Sequence, residues 1–169
     1  ISLVQLLRRA SRPHVAALGR IPGTRRFSDC ERHPDNEPVP GVLIFRPEAS
    51  LLYFNVDHIC DTISGRVRAH APPPRLVVVD LSAAPHVDLQ SAHTLAGLAK
   101  DITSQDIRFQ TVEARSFVRD MLRGEGLDSR LGGIDRFTTV ADAVEDLQSG
   151  GSSADPAAQA YTEGTRGAR

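Results

Sequence analysis

The feature that most constrains the fold is the run RLVVVDL at residues 75–81, in which four consecutive apolar residues precede an aspartate. Three prolines come before this run, and a polar loop follows it. A short continuous apolar run with such boundaries is typical of a central strand that is covered on both faces. The run therefore predicts an α/β fold built on a mainly parallel sheet.

Strand-like and helix-like patterns alternate on both sides of this run. The patterns predict helices that begin with Asn55, Asp88 and Thr139 as caps, and Asp142 is placed for a capping box with Thr139. A short strand is also expected around Phe137. This alternation implies right-handed crossovers, with the helices packed against the sheet. The strands are expected near 42–46, 76–80 and 108–112, and the helices near 56, 88 and 115.

The 169 residues divide into four segments by composition. Residues 1–26 are a basic linker, and residues 27–41 form a proline-rich connector or edge strand. Residues 42–148 carry the alternating pattern and are expected to form the folded domain. Residues 149–169 are rich in Gly, Ser and Ala without periodicity, so a disordered tail is expected there. The chain begins with Ile1 rather than Met, which favours a piece of a longer protein.

The first segment contains six arginines and no acidic residue. An excess of this kind is typical of cytoplasmic segments beside a transmembrane helix, and it attracts anionic lipid headgroups. The segment therefore predicts a flank that follows the last transmembrane helix, and the alternatives are a basic surface helix or an added linker. The arginines of this predicted membrane flank are Arg8, Arg9, Arg12, Arg20, Arg25 and Arg26.

Composition argues against several classes of function. A net charge of −1 is unfavourable for general binding of nucleic acid, which requires a basic face. No apolar run reaches the roughly 20 residues that cross a bilayer. The glycine-rich nucleotide fingerprints and the hydrolase motif G-x-S-x-G are absent from the sequence. We therefore expect neither an enzyme nor a cofactor.

The loop between the 76–80 strand and the next helix holds the candidate interaction residues. His86, Asp88 and His93 could be drawn as a metal site, but His93 falls more than one helical turn after Asp88. Capping and surface roles are therefore favoured, and no metal is expected. No general base adjoins the serines of this loop, so nucleophilic catalysis is not expected. The residues of the candidate loop are Ser82, His86, Asp88, Leu89 and Ser91.

Two sets of motifs carry a family resemblance. The stretch VVVDLSAAPHVD at residues 77–88, followed by a helix, resembles the most recognisable part of STAS domains. The upstream sequence is similar to the SulP branch of that family, and the resemblance covers about residues 10–148. Its elements are Arg12-Pro13, Leu18-Gly19-Arg20, Glu31-Arg32-His33-Pro34 and Leu52-Tyr53-Phe54-Asn55.

This resemblance implies a STAS-like fold and a cytoplasmic regulatory or assembly domain of a SulP-type transporter for sulfate, bicarbonate or a related anion. The domain alone would transport nothing and would lie at the cytoplasmic face of the cell membrane. Its implied partner is the transmembrane domain of the same polypeptide, and a cytosolic protein or a second copy is a further option.

Two alternatives remain open at the level of sequence. The first is a free-standing antagonist of an anti-sigma factor, in which a phosphorylated serine directly follows the aspartate of this loop. Here that position is Leu89, so we expect no phosphorylation switch. The second is a regulator that binds a small nucleotide at a helix amino terminus.

Overall fold

The computed structural model describes residues 2–150, and this part of the chain contains five strands and five α-helices. The strands are β1 (Val15–Arg20), β2 (Phe27–Asp29), β3 (Val42–Pro47), β4 (Leu76–Asp80) and β5 (Arg108–Val112). The helices are α1 (Leu3–Ser11), α2 (Val56–Ala69), α3 (Leu89–Thr103), α4 (Ser116–Gly124) and α5 (Val140–Gln148). One 3₁₀ turn follows α4 at Ser129–Leu131.

The strands form one sheet in the order β2-β1-β3-β4-β5. β3, β4 and β5 are mutually parallel, whereas β1 runs antiparallel to both β2 and β3. All five residues of β4 are buried, so the apolar run does form an interior strand. The predicted mainly parallel sheet is confirmed, with an antiparallel extension at one edge.

Two strands occupy segments in which the sequence predicted a linker and a connector. β1 lies within residues 1–26 and pairs with β3, although the predicted folded domain begins at residue 42. β2 is the edge strand foreseen as one option for residues 27–41. The folded part of the chain thus includes the second half of the basic segment. Of the predicted tail, residues 151–169 lie outside the described part of the chain.

The strand expected around Phe137 does not form, and that prediction is wrong. The carboxylate of Asp135 accepts hydrogen bonds from the backbone N–H groups of Phe137 and Thr138, which turns the chain. The Phe137 side chain is exposed rather than paired into the sheet. The capping box of α5 is confirmed, because Thr139 and Asp142 each accept the other's backbone N–H.

The sheet carries a separate apolar cluster on each face. α2, α3 and α4 cover one face, where Phe45, Ile63 and Leu95 are fully buried. α5 covers the other face and packs Val144 against residues such as Ile44 and Val78. Helices therefore shield both sides of β4, as its continuous apolar sequence requires.

α1 stands apart from this arrangement because none of its residues is buried. It precedes β1 directly, with only a short link through Pro13. Within residues 2–150, no helix is both long enough and apolar enough to span a bilayer.

Candidate interaction surface

The loop from β4 to α3 is held in place by backbone contacts with the segment that precedes α2. The Leu51 N–H donates to the His86 carbonyl over 3.0 Å, and the Asp88 N–H donates to the Leu51 carbonyl over 3.1 Å. Leu51 and Val87 are both buried beneath this bridge. Two stretches that lie far apart in sequence therefore form one surface at the amino-terminal ends of α2 and α3.

Asp88 uses both of its carboxylate oxygens to hold this surface together. Oδ1 accepts the Ser91 backbone N–H over 2.8 Å and thereby caps α3, as predicted. Oδ2 accepts the Tyr53 backbone N–H over 2.7 Å. Burial acts to raise the pKa of Asp88, but the hydrogen bonds from Ser91 and from the Tyr53 backbone outweigh it, so the pKa is lowered. The anionic form of Asp88 is therefore the one that fits this site.

Asn55 extends the connection as far as the end of α1. Its Oδ1 accepts the Leu52 backbone N–H over 2.9 Å, and its Nδ2 donates to the carbonyls of Ser50 and Ala10 over 3.1 and 3.3 Å. Asn55 does occupy the N-cap position of α2, but its side chain makes no capping hydrogen bond there. The expectation that it caps α2 through its side chain is wrong. Its buried amide instead ties the 52–55 loop to the helix that precedes β1.

The five candidate residues of the loop divide between surface and interior. Leu89 is half exposed, and His86 and Ser82 are exposed. Ser91 is fully buried, and its hydroxyl has no hydrogen-bond partner. Ser82 also faces elsewhere, because it lines a cleft on the α5 side of the sheet. The structure therefore groups Leu89 with Asp88 and the 52–55 loop rather than with the two serines.

Two aromatic side chains at this surface were not among the predicted interaction residues. Tyr53 is 66% exposed and Phe54 is 44% exposed, and their rings meet edge to face with centroids 5.4 Å apart. The sequence over residues 42–54 favours a strand pair or one interrupted strand, but Leu51–Phe54 forms a single bridge and a turn instead, so that prediction is wrong for this run. The residues Glu48–Ser50 separate this run from β3, so it does not continue that strand. Tyr53, Phe54 and Leu89 together form what we call the aromatic surface.

Ser82 belongs to a second, more polar cleft at the carboxyl ends of the parallel strands. This cleft is lined by Arg46, Asp80 and Glu113, together with Thr139 at the start of α5. Burial, assisted by the nearby Asp80 carboxylate, raises the pKa of Glu113. Arg46 is already engaged by Glu48, at 3.1 Å. The cleft therefore holds a mixture of charges that does not favour a ligand of one sign.

The six arginines of the predicted membrane flank are also separated. Arg8 and Arg9 lie on α1, and Arg12 follows it. Arg25 donates to both carboxylate oxygens of Glu145 and to Asp142, over 2.8 to 2.9 Å, and so joins the turn after β1 to α5. Arg20 lies over the ring of Phe27 at 5.7 Å. Arg26 lines the polar cleft that contains Ser82, so only Arg8, Arg9 and Arg12 share one location at the start of the chain.

Comparison with known proteins gives a consistent family match. A family model described as the STAS domain matches residues 33–143. The chain is 26% identical over 152 residues to high affinity sulfate transporter 2 of Stylosanthes hamata, covering 85% of the chain and 23% of that protein. It is 26% identical over 145 residues to a probable sulfate transporter of Mycobacterium tuberculosis, covering 86% of the chain and 26% of that protein. The chain thus spans about a quarter of the relatives it matches.

Solved structures share this fold to different extents. The murine Solute Carrier 26 family member A9 anion transporter superposes with a TM-score of 0.74 at 16% identity, over 87% of the chain and 24% of the transporter. The STAS domain of a SulP transporter from Vibrio cholerae gives 0.56 at 15% identity, over 70% of the chain and 93% of that domain. A putative anti-sigma factor antagonist from Thermotoga maritima gives 0.56 at 21% identity, over 65% of the chain and 90% of that protein.

Proposed function

The chain belongs to the STAS domain family, and on that premise we propose that it is the cytoplasmic regulatory and assembly domain of a SulP-type anion transporter. The transported species is sulfate, bicarbonate or a related anion, and the domain itself transports nothing. Its principal partner is the membrane-embedded part of the same polypeptide. This places the domain at the cytoplasmic face of the cell membrane.

The observation that carries the proposal is the extent of the likeness. The fold of the anion transporter covers 87% of the chain, whereas that of the anti-sigma factor antagonist covers 65%. Similarity to sulfate transporters also covers 85% of the chain, which is more than the span 33–143 of the family model. The parts of this chain outside the common STAS core therefore favour the transporter branch.

The aromatic surface supports a permanent contact rather than a switched one. An exposed leucine stands where the antagonist branch has its phosphorylated serine, and the nearest following serine, Ser91, is fully buried. Tyr53 and Phe54 add rigid apolar area beside Leu89, and aromatic residues of this kind are enriched at protein interfaces. We infer that this surface packs against the membrane-embedded part of the transporter.

The first test is the complete coding sequence from which the chain comes. We expect it to encode a series of apolar segments of about 20 residues each before residue 1. A gene that encodes only this domain would contradict the transporter assignment and would favour the free-standing antagonist.

The second test is anion uptake by cells that express the complete protein. Tyr53→Ser and Leu89→Ser are expected to lower uptake of labelled sulfate or bicarbonate several-fold at equal abundance in the membrane. Phe117→Ser is the matched control, because Phe117 is 68% exposed on α4 and is not one of the residues of the aromatic surface. Equal uptake by all three variants and the parent protein would show that the aromatic surface has no role in transport.

Phosphate analysis addresses the antagonist alternative directly. We expect mass spectrometry of the protein from its own cells to find no phosphate on Ser82 or Ser91. Stoichiometric phosphate on either serine, with a change in partner binding, would restore the phosphorylation switch.

A further inference from the structure

α1 exposes an apolar face that nothing in the described part of the chain covers. The side chains of Leu3, Val4, Leu6 and Leu7 are 71%, 63%, 57% and 61% exposed. A helix of nine residues is only marginally stable in water without tertiary packing. The face therefore requires a cover that lies outside the domain.

The residues of α1 are arranged as in helices that lie in a membrane interface. With about 100° between successive residues, the four apolar side chains and Ala10 fall on one side of the helix. Arg8 and Arg9 fall on opposite flanks of that apolar side. Such a placement buries the apolar stripe at the headgroup boundary and leaves the guanidinium groups among the headgroups.

We propose that α1 lies in the interface of an anionic lipid bilayer, with its leucine face toward the acyl chains and with Arg8, Arg9 and Arg12 among the phosphates. The inference deepens the proposed function by naming a lipid contact of the same domain. The charge of this segment favours an anionic lipid surface as the partner of the apolar face, because residues 2–26 contain no acidic side chain. A second copy of α1 on the same face would instead bring like charges together.

The structure shows which arginines of the segment are bound within the domain and where α1 is attached to it. Arg25 is bound by Glu145 and Asp142, and Arg20 lies over Phe27, so these two arginines serve the domain itself. The end of α1 is fixed by the hydrogen bond from Asn55 to the Ala10 carbonyl. The lipid surface therefore lies on the side of the domain where α2 begins.

The experiment uses the 169-residue chain and its co-sedimentation with vesicles. We expect binding to phosphatidylcholine vesicles that contain phosphatidylserine and much weaker binding to phosphatidylcholine alone. Added salt should weaken the binding, because the attraction is screened over a Debye length of about 8 Å at physiological ionic strength. Equal binding to both kinds of vesicle would overturn the role of the arginines.

Paired variants separate a local site from a general charge effect. Arg8→Gln with Arg9→Gln should weaken binding to anionic vesicles by roughly thirtyfold, because each basic residue near the surface contributes roughly fivefold. Arg68→Gln with Arg130→Gln removes the same charge from exposed positions outside residues 1–26 and should weaken it less than about twofold. Leu6→Ser with Leu7→Ser should also abolish most binding, and circular dichroism should show that all variants remain folded.

Two other outcomes would show that the apolar face of α1 does not contact lipid. Equal losses in the two arginine pairs would mean that α1 is not the site. A concentration-dependent dimer that disappears with Leu6→Ser and Leu7→Ser, without vesicle binding, would make the occupant a second copy. Either result would overturn the lipid contact and leave the transporter assignment intact, since the coding sequence and anion uptake test that assignment separately.

Discussion

α1 and α3 have similar amphipathic sequence patterns, but α3 packs against the sheet and α1 is exposed. Both carry leucines at helical spacing, yet α3 buries seven of its residues and α1 buries none. α3 connects two parallel strands, so the crossover places its apolar stripe on the sheet. α1 precedes the antiparallel strand β1 and has no strand before it within the described residues. An amphipathic pattern thus predicts that a face will be covered, while the position in the topology decides what covers it.

The strongest test of the covered region is a charge in its centre. Val78→Asp places a carboxylate between the sheet and α5, where Val78 is fully buried. We expect a loss of about 3–5 kcal/mol in the free energy of unfolding, because the charge has no partner there. Thermal unfolding followed by circular dichroism should show an unfolded protein, and Gln90→Asp at an exposed position of α3 should melt like the parent. A cooperative Val78→Asp melt near the parent temperature would contradict the burial of β4.

Truncating one leucine in α3 and one in α1 tests whether the first helix packs on the sheet and the second does not. Leu95→Ala should cost about 2–5 kcal/mol, because it leaves a cavity among fully buried neighbours of α3. Leu6→Ala should change stability by less than about 0.5 kcal/mol, since its side chain is largely exposed on α1. Urea unfolding of both variants measures the difference. Similar losses in the two variants would show that α1 packs on the domain in solution.

A third test concerns the 129–133 loop, which lies against the edge strand β5. Gly132 has φ +86°, and a Cβ there would lie 2.3 Å from the Phe109 carbonyl oxygen of β5. Gly133 has φ +80°, but a Cβ there would meet nothing within 4 Å. Gly133→Ala should therefore cost only the left-handed strain of about 1–2 kcal/mol. Gly132→Ala should cost more, and equal losses in urea unfolding would show that the loop does not lie against β5.

A further loss of stability, smaller than those in the sheet and its core, is expected at Asp88, which caps α3 and holds the 52–55 loop. Asp88→Ala removes the α3 cap and should cost about 1 kcal/mol. Asp88→Asn keeps an N-cap acceptor at α3 and loses one of the two charged oxygens, so it should cost less. Hydrogen exchange of the Tyr53 amide reports the second bond and should rise in both variants. Unchanged exchange at Tyr53 would mean that the 52–55 loop is held without Asp88.

The pKa of Asp88 also sets the direction of a pH effect. Because its folded pKa is lowered, the stabilisation is present above the unfolded value of about 3.9 and is lost as the pH falls through the folded pKa. The difference in free energy of unfolding between the parent and Asp88→Asn should therefore become smaller below about pH 4.

The sequence predicted the elements whose signals are local. The apolar run at 76–79 indicated β4, and Asp88 and Thr139 marked the starts of α3 and α5 through the acceptors that a helix start requires. The sequence did not predict β1, which lies in the expected linker, and it indicated β2 only as one option for residues 27–41. β1 is short and contains Ala, Gly and Arg, and its partner β3 lies more than twenty residues away. Strand pairing at that distance leaves little trace in a local pattern.

The candidate site was predicted only where a side chain carries the signal. Asp88 was predicted to cap α3 because it precedes the apolar stripe of that helix. Its bond to Tyr53 could not be predicted, because the donor is a backbone N–H 35 residues away and every residue except proline carries such a group. The burial of Ser91 was missed for a related reason, since a serine in the first turn of a helix is usually exposed.

The position of α5 in the chain has a consequence for biosynthesis. The apolar cluster on its side of the sheet contains residues of β1, β3, β4 and β5, but its cover is provided by residues 140–147. The ribosome therefore releases all five strands, the last of which ends at Val112, before the helix that shields one face of the sheet has emerged. During that interval the face is exposed to other chains and to chaperones, and productive folding depends on α5 arriving before they do.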